Sequence, residues 1–265
     1  MLSPKEITRY SRNILLSEVG RRGQEKLKSS TISVIGAGGL GSPLLYYLAA
    51  AGIGTIKVID SDFVDLTNLQ RQILFNENSI SKNKSTEAKD KLLSLNPNLN
   101  IQSYPIRLID QNIHEILNHS DMVIEGSDNF ETKFLVNDYS YFNKIPLLIG
   151  GILRFEGQIL GIKPEGYCYR CIFHSMPDSS DIPNCSDAGV IGSIAGIIGS
   201  LLATEAIKHL LNLDDSIFKN ILSIDIKNLE FRKILIKKNN NCPLCGNNPT
   251  IKNIESYNPK ICEVK

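Results

Sequence analysis

The chain has 265 residues, 42% of them hydrophobic and 22% charged, with a net charge of +1. That length and apolar content suffice to bury a core, and the near-neutral balance leaves no field to recruit nucleic acid or anionic lipid, so partners must be recognised locally. Met1 to Glu6 lack the apolar core of a signal peptide, and six cysteines without such a signal predict a reducing compartment, the cytoplasm.

Ser3-Pro4-Lys5-Glu6 has the form of a helix start, and Ile7, Tyr10 and Ile14 then recur at helical spacing. Arg9 and Arg12 on that helix read, by spacing alone, as a solvated face. Val19 to Ser30 is a second polar helical stretch. Thr31 to Gly41 then ends a buried strand in glycines and opens a helix over Pro43 to Ala51, on which Leu44, Leu45 and Leu48 share one face. Gly36, Gly38 and Gly41 form a G-x-G-x-x-G pattern, with Gly39 between them. Between a strand and a helix, this pattern supplies a tight turn, room for a phosphate against bare backbone, and N–H groups aimed at an anion. The next strand, Thr55 to Ile59, runs into Asp60, about 20 residues beyond the glycines, where an acid meets ribose hydroxyls.

A simple dinucleotide-binding unit would now return to its sheet. Instead Ser61 to Gln72 makes a polar excursion in which Asn68 and Arg71, three apart, share one side of a helical turn. Lys84 precedes a helix over Thr86 to Leu95. Arg71 and Lys84 beside a glycine-bound phosphate suit neutralisation of a triphosphate, as phosphoryl and nucleotidyl transfer require; the alternative is ordinary surface charge. Strands over Asn100 to Pro105 and Met122 to Glu125 flank a helix at Gln111 to Asn118. This alternation predicts an α/β fold with a Rossmann-like, mostly parallel sheet and helices on both faces. Asp128 follows a strand, where it is placed either to hold Mg²⁺ or, with Asn129, to cap a helix over Phe130 to Phe142.

From Pro146 the glycine-punctuated stretch 147–162 predicts an antiparallel extension of the sheet, and Pro177 to Asn184 a surface loop. Val190 to Leu211 reads as a buried helix; the uncharged run Ala188 to Thr204 inside it is short and Gly/Ser-rich for a membrane span. Ile217 to Leu235 reads as closing strands, and the tail after Asn247 as weakly ordered. Cys168-Tyr-Arg-Cys171 and Cys242-Pro-Leu-Cys245 are two C-x-x-C knuckles whose four thiolates satisfy tetrahedral Zn²⁺ and leave no open position for catalysis. Their long separation makes this a clasp between distant segments. A redox dithiol is the alternative, and His174 an alternative ligand. Cys185 lies in the polar loop before a helix start, and Cys262 in the tail.

Arg9-Tyr-Ser-Arg12, the glycine motif, Asp60, Asn68 to Gln72, Lys84, Ser127-Asp128-Asn129, Glu156-Gly-Gln158, Cys185 and the two knuckles together resemble the ubiquitin-activating-enzyme-like adenylyltransferases of the ThiF/MoeB type. The likeness runs from Lys5 to Gly246 and divides the chain into a helical segment (1–30), an ATP-binding adenylation domain with its zinc clasp (31–246) and a tail (247–265). It implies that Gly36, Gly38, Gly39, Gly41, Asp60, Asn68, Arg71, Gln72 and Lys84 bind ATP, that Asp128 with Asn129 handles Mg²⁺, and that Arg12 reaches the ATP site of the other protomer of a homodimer. The implied partner is a small ubiquitin-like sulfur carrier protein ending in Gly-Gly. Its terminal carboxylate attacks the α-phosphorus, pyrophosphate leaves, and a separate donor later supplies sulfur. Catalysis would be positioning and neutralisation by Arg12, Arg71, Lys84 and Mg²⁺. In the ThiF branch a cysteine at the position of Cys185 can join the carrier covalently, and its surroundings match weakly here; the molybdopterin pathway is the expected one, with the thiamine pathway as the alternative. The rival readings are adenylation of a peptide or tRNA-bound carboxylate, an NAD-dependent oxidoreductase, and a non-catalytic nucleotide-binding scaffold.

Overall fold

The computed structural model describes residues 1–176 and 189–255; the Pro177–Asn184 loop, Cys185 and Cys262 lie outside them. The chain begins with the expected helix start: Ser3 Oγ accepts from the Glu6 N–H at 3.3 Å and the Glu6 carboxylate accepts from the Ser3 N–H at 2.8 Å. This reciprocal cap opens α1 (Pro4–Arg9). The helix is not continuous to Ile14 as the spacing suggests but breaks at Tyr10 and resumes as α2 (Ser11–Ile14). At the break Tyr10 has φ −96° and ψ 13°, and its ring is buried with the hydroxyl accepting from Asn96 Nδ2 at 2.8 Å. Lys28, on α3 (Gly20–Ser29), ties this segment back through an ion pair to Glu6 at 2.7 Å.

Eight strands then form one sheet in the order β3-β2-β1-β4-β5-β6-β7-β8. They are β1 (Thr31–Ile35), β2 (Thr55–Ile59), β3 (Asn100–Tyr104), β4 (Met122–Glu125), β5 (Leu147–Leu153), β6 (Glu156–Ile162), β7 (Asn220–Asp225) and β8 (Glu230–Leu235). The first five in this order are parallel and the rest antiparallel, which is the predicted core with its extension. Side chains alternate between two buried faces. Ile32, Val34, Ile56, Val58 and Ile124 meet α3, α4 (Gly41–Ala51), α5 (Lys84–Leu95) and α9 (Gly192–Leu211). Ile35, Ile59, Val123 and Ile149 meet α6 (Asp110–Leu117), α7 (Phe130–Asn143) and the cysteine knuckles around α8 (Tyr169–Ile172). Burial on both sides explains why these strands are mostly apolar; the polar residues inside them are bonded, Ser33 to Ser120 and Lys57 to the carbonyls of Ile116 and Asn118. Leu44, Leu45 and Leu48 of α4 are fully buried, each stabilising the fold by about 2 kcal/mol.

Helix α9 is long and apolar enough by composition to cross a bilayer. Here it packs against α4, β5, β6 and α3 and buries Ile194, Ile198 and Leu202 completely. Helix α4 starts two residues earlier than expected, at Gly41, and so does α5, at Lys84, where Asn83 Oδ1 accepts from the N–H groups of Ser85 and Thr86. Residues 247–255 have no regular structure, although the N–H groups of Thr250 and Ile251 donate to Pro243 O at 2.9 Å. The decisive topological step is the return of the chain from β3 across the sheet to β4, next to β1. In open α/β sheets the crevice beyond the strand carboxyl ends at such a reversal is where ligands bind.

The bond from Lys28, with the Ser3 N–H, holds the Glu6 carboxyl at about 2, below its ordinary 4.5. A depressed carboxyl stabilises the fold fully above its unfolded pKa and loses that contribution as the pH falls through the folded one. The melting-temperature gap between wild type and Glu6→Gln should therefore be open at pH 7 and closed near pH 2. Melts that show the same gap at both ends would remove the ion pair from the account of acid stability.

Candidate functional site

At the reversal lies a cavity of about 430 Å³. Its floor is the glycine turn. Gly36 has φ +88° and sits so close to the β4 loop that a Cβ there would stand 3.0 Å from Ser127 N, while one at Gly41 would stand 2.1 Å from Gly36 O. Gly36, Gly38 and Gly39 line the cavity; Gly41 is outside its lining and lets the turn close onto the start of α4. Asp60, at the end of β2, braces the turn: Oδ2 accepts from the Ala37 N–H at 2.8 Å and Oδ1 from the Asp62 N–H at 2.9 Å. Burial pushes its carboxyl up, opposed by the nearby Lys84 ammonium and these two N–H groups.

The polar excursion brings the cations in. Asp65 caps a 3₁₀ turn, Leu66–Asn68, and Asn68 Oδ1 accepts from the Asp65 N–H at 3.3 Å. Asn68 is therefore occupied in shaping the turn and does not line the cavity, whereas Arg71 and Gln72 do. Both hang from Asn68, whose carbonyl accepts from the Arg71 N–H at 3.1 Å and the Gln72 N–H at 2.9 Å. Gln72 is buried, and its Oε1 has no hydrogen-bond partner among the described residues. An unpaired buried acceptor costs free energy, and this one is enclosed by protein atoms. Opposite, Lys84 opens α5 with its ammonium 3.1 Å from Asp62 Oδ2. Asn83 holds that helix start by donating to Asp60 O at 3.2 Å and Asp62 O at 3.1 Å.

In the loop after β4 the helix-capping role falls to Asn129. Asn129 Oδ1 caps α7 through the Thr132 N–H at 2.8 Å, and Asp128 stands exposed on the cavity wall. The sequence reading missed Glu125 and Lys133 behind this loop. Glu125 accepts from the Ser127 N–H at 2.8 Å and from the Ser127 hydroxyl, and it pairs with Lys133. Burial pushes the Glu125 carboxyl up while Lys133 and Ser127 counter it. The available signal was a charged residue closing the apolar strand Met122–Glu125 and a lysine one turn into the helix after it. Beyond Asp128 the cavity continues along Gly150, Gly151, Gln158 and Tyr169 as a groove over β5 and β6.

Arg12 is exposed on α2 and does not line the cavity of its own chain. The four knuckle cysteines do come together: their sulfurs lie within 4.8 Å of one another, with Cys168–Cys242 at 3.5 Å and Cys171–Cys245 at 3.3 Å. All four are free thiols. Zinc with Zn–S bonds of about 2.3 Å sets its sulfurs roughly 3.8 Å apart, so the cluster fits a tetrahedral ion. His174 instead meets Asn239 at 2.7 Å. Between the first two cysteines, Tyr169 donates its N–H to Asn137 Oδ1 at 2.7 Å, and Arg170 makes two 2.8 Å bonds to Asp138. The knuckle is thus fastened to α7.

A model of the ThiF family matches residues 10–244. The chain belongs to the ThiF family. Among its relatives, the sulfur carrier protein adenylyltransferase of Thermus thermophilus is 39% identical over 96% of each chain. The SAMP-activating enzyme E1 of Haloferax volcanii is 40% identical over 92% of this chain and 91% of its own. An adenylyltransferase and sulfurtransferase of Culex quinquefasciatus is 40% identical over all of this chain, which spans 60% of that longer protein. The solved structure of E. coli MccB with ATP superposes with a TM-score of 0.79 at 25% identity, covering 90% of this chain and 75% of that one. This family member should carry one zinc ion. Cys242→Ser should release it and lower the melting temperature, because metal bound only by the folded state adds its binding energy to folding. Metal analysis finding well under half an equivalent in fresh, folded protein would count against the clasp.

Proposed function

We propose that this ThiF family protein is an ATP-dependent adenylyltransferase that activates the C-terminal glycine of a small ubiquitin-like sulfur carrier protein ending in Gly-Gly. The observation that carries the reading is the combination around one cavity of a glycine turn, two cations from separate elements and an exposed acid. A nicotinamide dinucleotide gives no reason for Arg71 and Lys84 to converge there; a triphosphate does. The groove along β5 and β6 supports an extended peptide end on the side of the cavity away from α5. The names of the relatives from Thermus and Haloferax support a protein carrier over a tRNA-bound or peptide carboxylate.

In this reading the glycine turn cradles the phosphates with backbone N–H groups and Asp60 meets the ribose. The carrier's carboxylate, already ionised, attacks the α-phosphorus, and pyrophosphate leaves. No protein nucleophile or general base is required, so the work of Arg71 and Lys84 is to hold and neutralise the leaving phosphates. Asp128 would hold Mg²⁺, which supplies further neutralisation. The acyl-adenylate then passes to a separate sulfur donor. The weak match around Cys185 favours the molybdopterin carrier over the thiamine one. Labelled pyrophosphate should enter ATP only with Mg²⁺ and a carrier whose terminal glycine is intact, and faster with the molybdopterin carrier. Exchange that survives deletion of that glycine refutes the assignment.

We also place Arg12 in the neighbouring protomer's site of a homodimer. Arg12 sits beside Leu15 and Leu16, 73% and 55% exposed, and the segment bearing Arg71 exposes Leu66 and Ile73, apolar surface that a second subunit would cover. Arg12→Ala and Asp128→Ala should each be nearly silent alone. In a mixed dimer one site has both groups and the other neither, so random reassortment should restore roughly a quarter of wild-type activity. Mixtures verified to contain heterodimers that stay silent would return Arg12 to its own surface.

A further inference from the structure

Lys133 is a lysine on the cavity wall whose ammonium is already fully engaged. It pairs with Glu125, donates to Ser127 O at 2.8 Å and donates to Gly150 O at 3.1 Å. The side chains are 9% and 0% exposed. An ammonium has three N–H groups, and three acceptors account for all of them. Lys133 is thus not arranged as a phosphate ligand, although it lines the same cavity as Arg71 and Lys84. Its acceptors come from three pieces of chain: the end of β4, the loop that carries Asp128, and the middle of β5, over which the groove runs. Glu125 is already paired with Ile149 of β5 through the strand backbone, while its carboxylate shapes the loop through Ser127 and makes no bond to β5. The connection to Gly150 is made by Lys133.

We infer that Lys133 is a positioning residue for adenylation: one buried ammonium fixes the separation between the Asp128 loop and the β5 wall, and so aligns the metal-nucleotide side of the cavity with the acyl side. This rests on the proposed adenylation, but its consequence for the Asp128 loop does not need a carrier to be measured. A buried ion pair of this kind is a poor source of net stability, because desolvation offsets the attraction. Its retention in the wall of a cavity is explained by geometry.

The test separates position from stability. Lys133→Met alone would leave a buried carboxylate unpaired, which is strongly destabilising. The double variant Glu125→Gln with Lys133→Met avoids this and keeps an amide for the Ser127 bonds while cutting the link to β5. A second double variant, Glu125→Gln with Lys133→Gln, keeps donors but is too short to span both carbonyls. Binding of a non-hydrolysable ATP analogue is titrated calorimetrically with and without Mg²⁺. In both variants the gain in affinity that Mg²⁺ brings to wild type should fall by about 10- to 100-fold, the range for groups that orient a metal's ligands, with nucleotide binding in EDTA little changed. Lys133→Arg, which again supplies donors to all three acceptors, should stay within about threefold of wild type. Either double variant binding Mg²⁺ and nucleotide as wild type does, a loss in Lys133→Arg as deep as in the double variants, or a wild type in which Mg²⁺ brings no gain would overturn the inference. Wild type that shows the Mg²⁺ gain but no pyrophosphate exchange with any Gly-Gly carrier would instead sink the adenylation reading and leave this measurement to decide on Lys133.

Discussion

The contact on which the site depends is the approach of two backbone turns, the glycine turn after β1 and the Gly126–Asn129 loop after β4. Strand ends are stitched level first: the Gly36 N–H donates to Ile59 O and the Gly126 N–H to Ile35 O, both at 2.9 Å. Gly36 then passes within 3.0 to 3.1 Å of the Gly126 and Ser127 backbone, measured from where a Cβ would be. Any side chain at Gly36 would pry the turns apart and would also have to adopt a left-handed φ. Because the turns abut, Gly36, Gly38 and Gly39 and the acid Asp128 line one volume. The parallel core, the reversal at β1 and β4, and the burial of both sheet faces all serve to hold those two turns side by side.

Around that contact the structure keeps charges where an ordinary core would exclude them. Asp60, Lys84, Glu125 and Lys133 all sit largely out of solvent, each with named partners. Such groups cost free energy to bury and are tolerated when hydrogen-bonded and paired. Here the pairings are graded. Glu125 and Lys133 satisfy one another and neighbouring backbone, which makes them rigid. Lys84 has one carboxylate partner, Asp62, whose own side chain is 69% exposed, so a phosphate can replace it with little rearrangement. Gln72 Oε1 stands at the far end of this scale, buried and without a partner among the described residues. The Glu125–Lys133 pair is thus fixed framework, while the Lys84–Asp62 pair at the cavity is open to exchange, an arrangement suited to a preorganised electrostatic site.

How much of this was legible in the sequence follows from range. Strands, the glycine turn and the C-x-x-C pairs are local patterns, and β1, β2 and β4 fall where alternation and apolar runs put them. The cysteine cluster was legible because metal chemistry supplies a long-range constraint that a spacing can reveal. Partners of side chains were not. Asn68 was grouped with Arg71 by a spacing of three, yet its amide is taken by the Asp65 N–H and it acts on Arg71 through its carbonyl. Gly41, a member of the motif, works by close packing and not by contact with the cavity. Glu125 and Lys133 escaped notice because their significance lies in Gly150 O, seventeen residues further along the chain. A spacing carries no trace of such a bond.

Helix α7 joins these scales. Its first turn caps on Asn129 and carries Lys133 at the cavity; one to two turns later Asn137 and Asp138 grip Tyr169 and Arg170 between two of the clustered cysteines. Arg170 also lies over the Phe134 ring at 4.7 Å, so its charge is held by a carboxylate and an aromatic face together. Tyr169 is at once part of the knuckle and of the groove wall. The clasp therefore does more than close the sheet face beneath it. By holding the middle of α7 while the Lys133 bonds hold its first turn, it gives the Asp128 loop a rigid base.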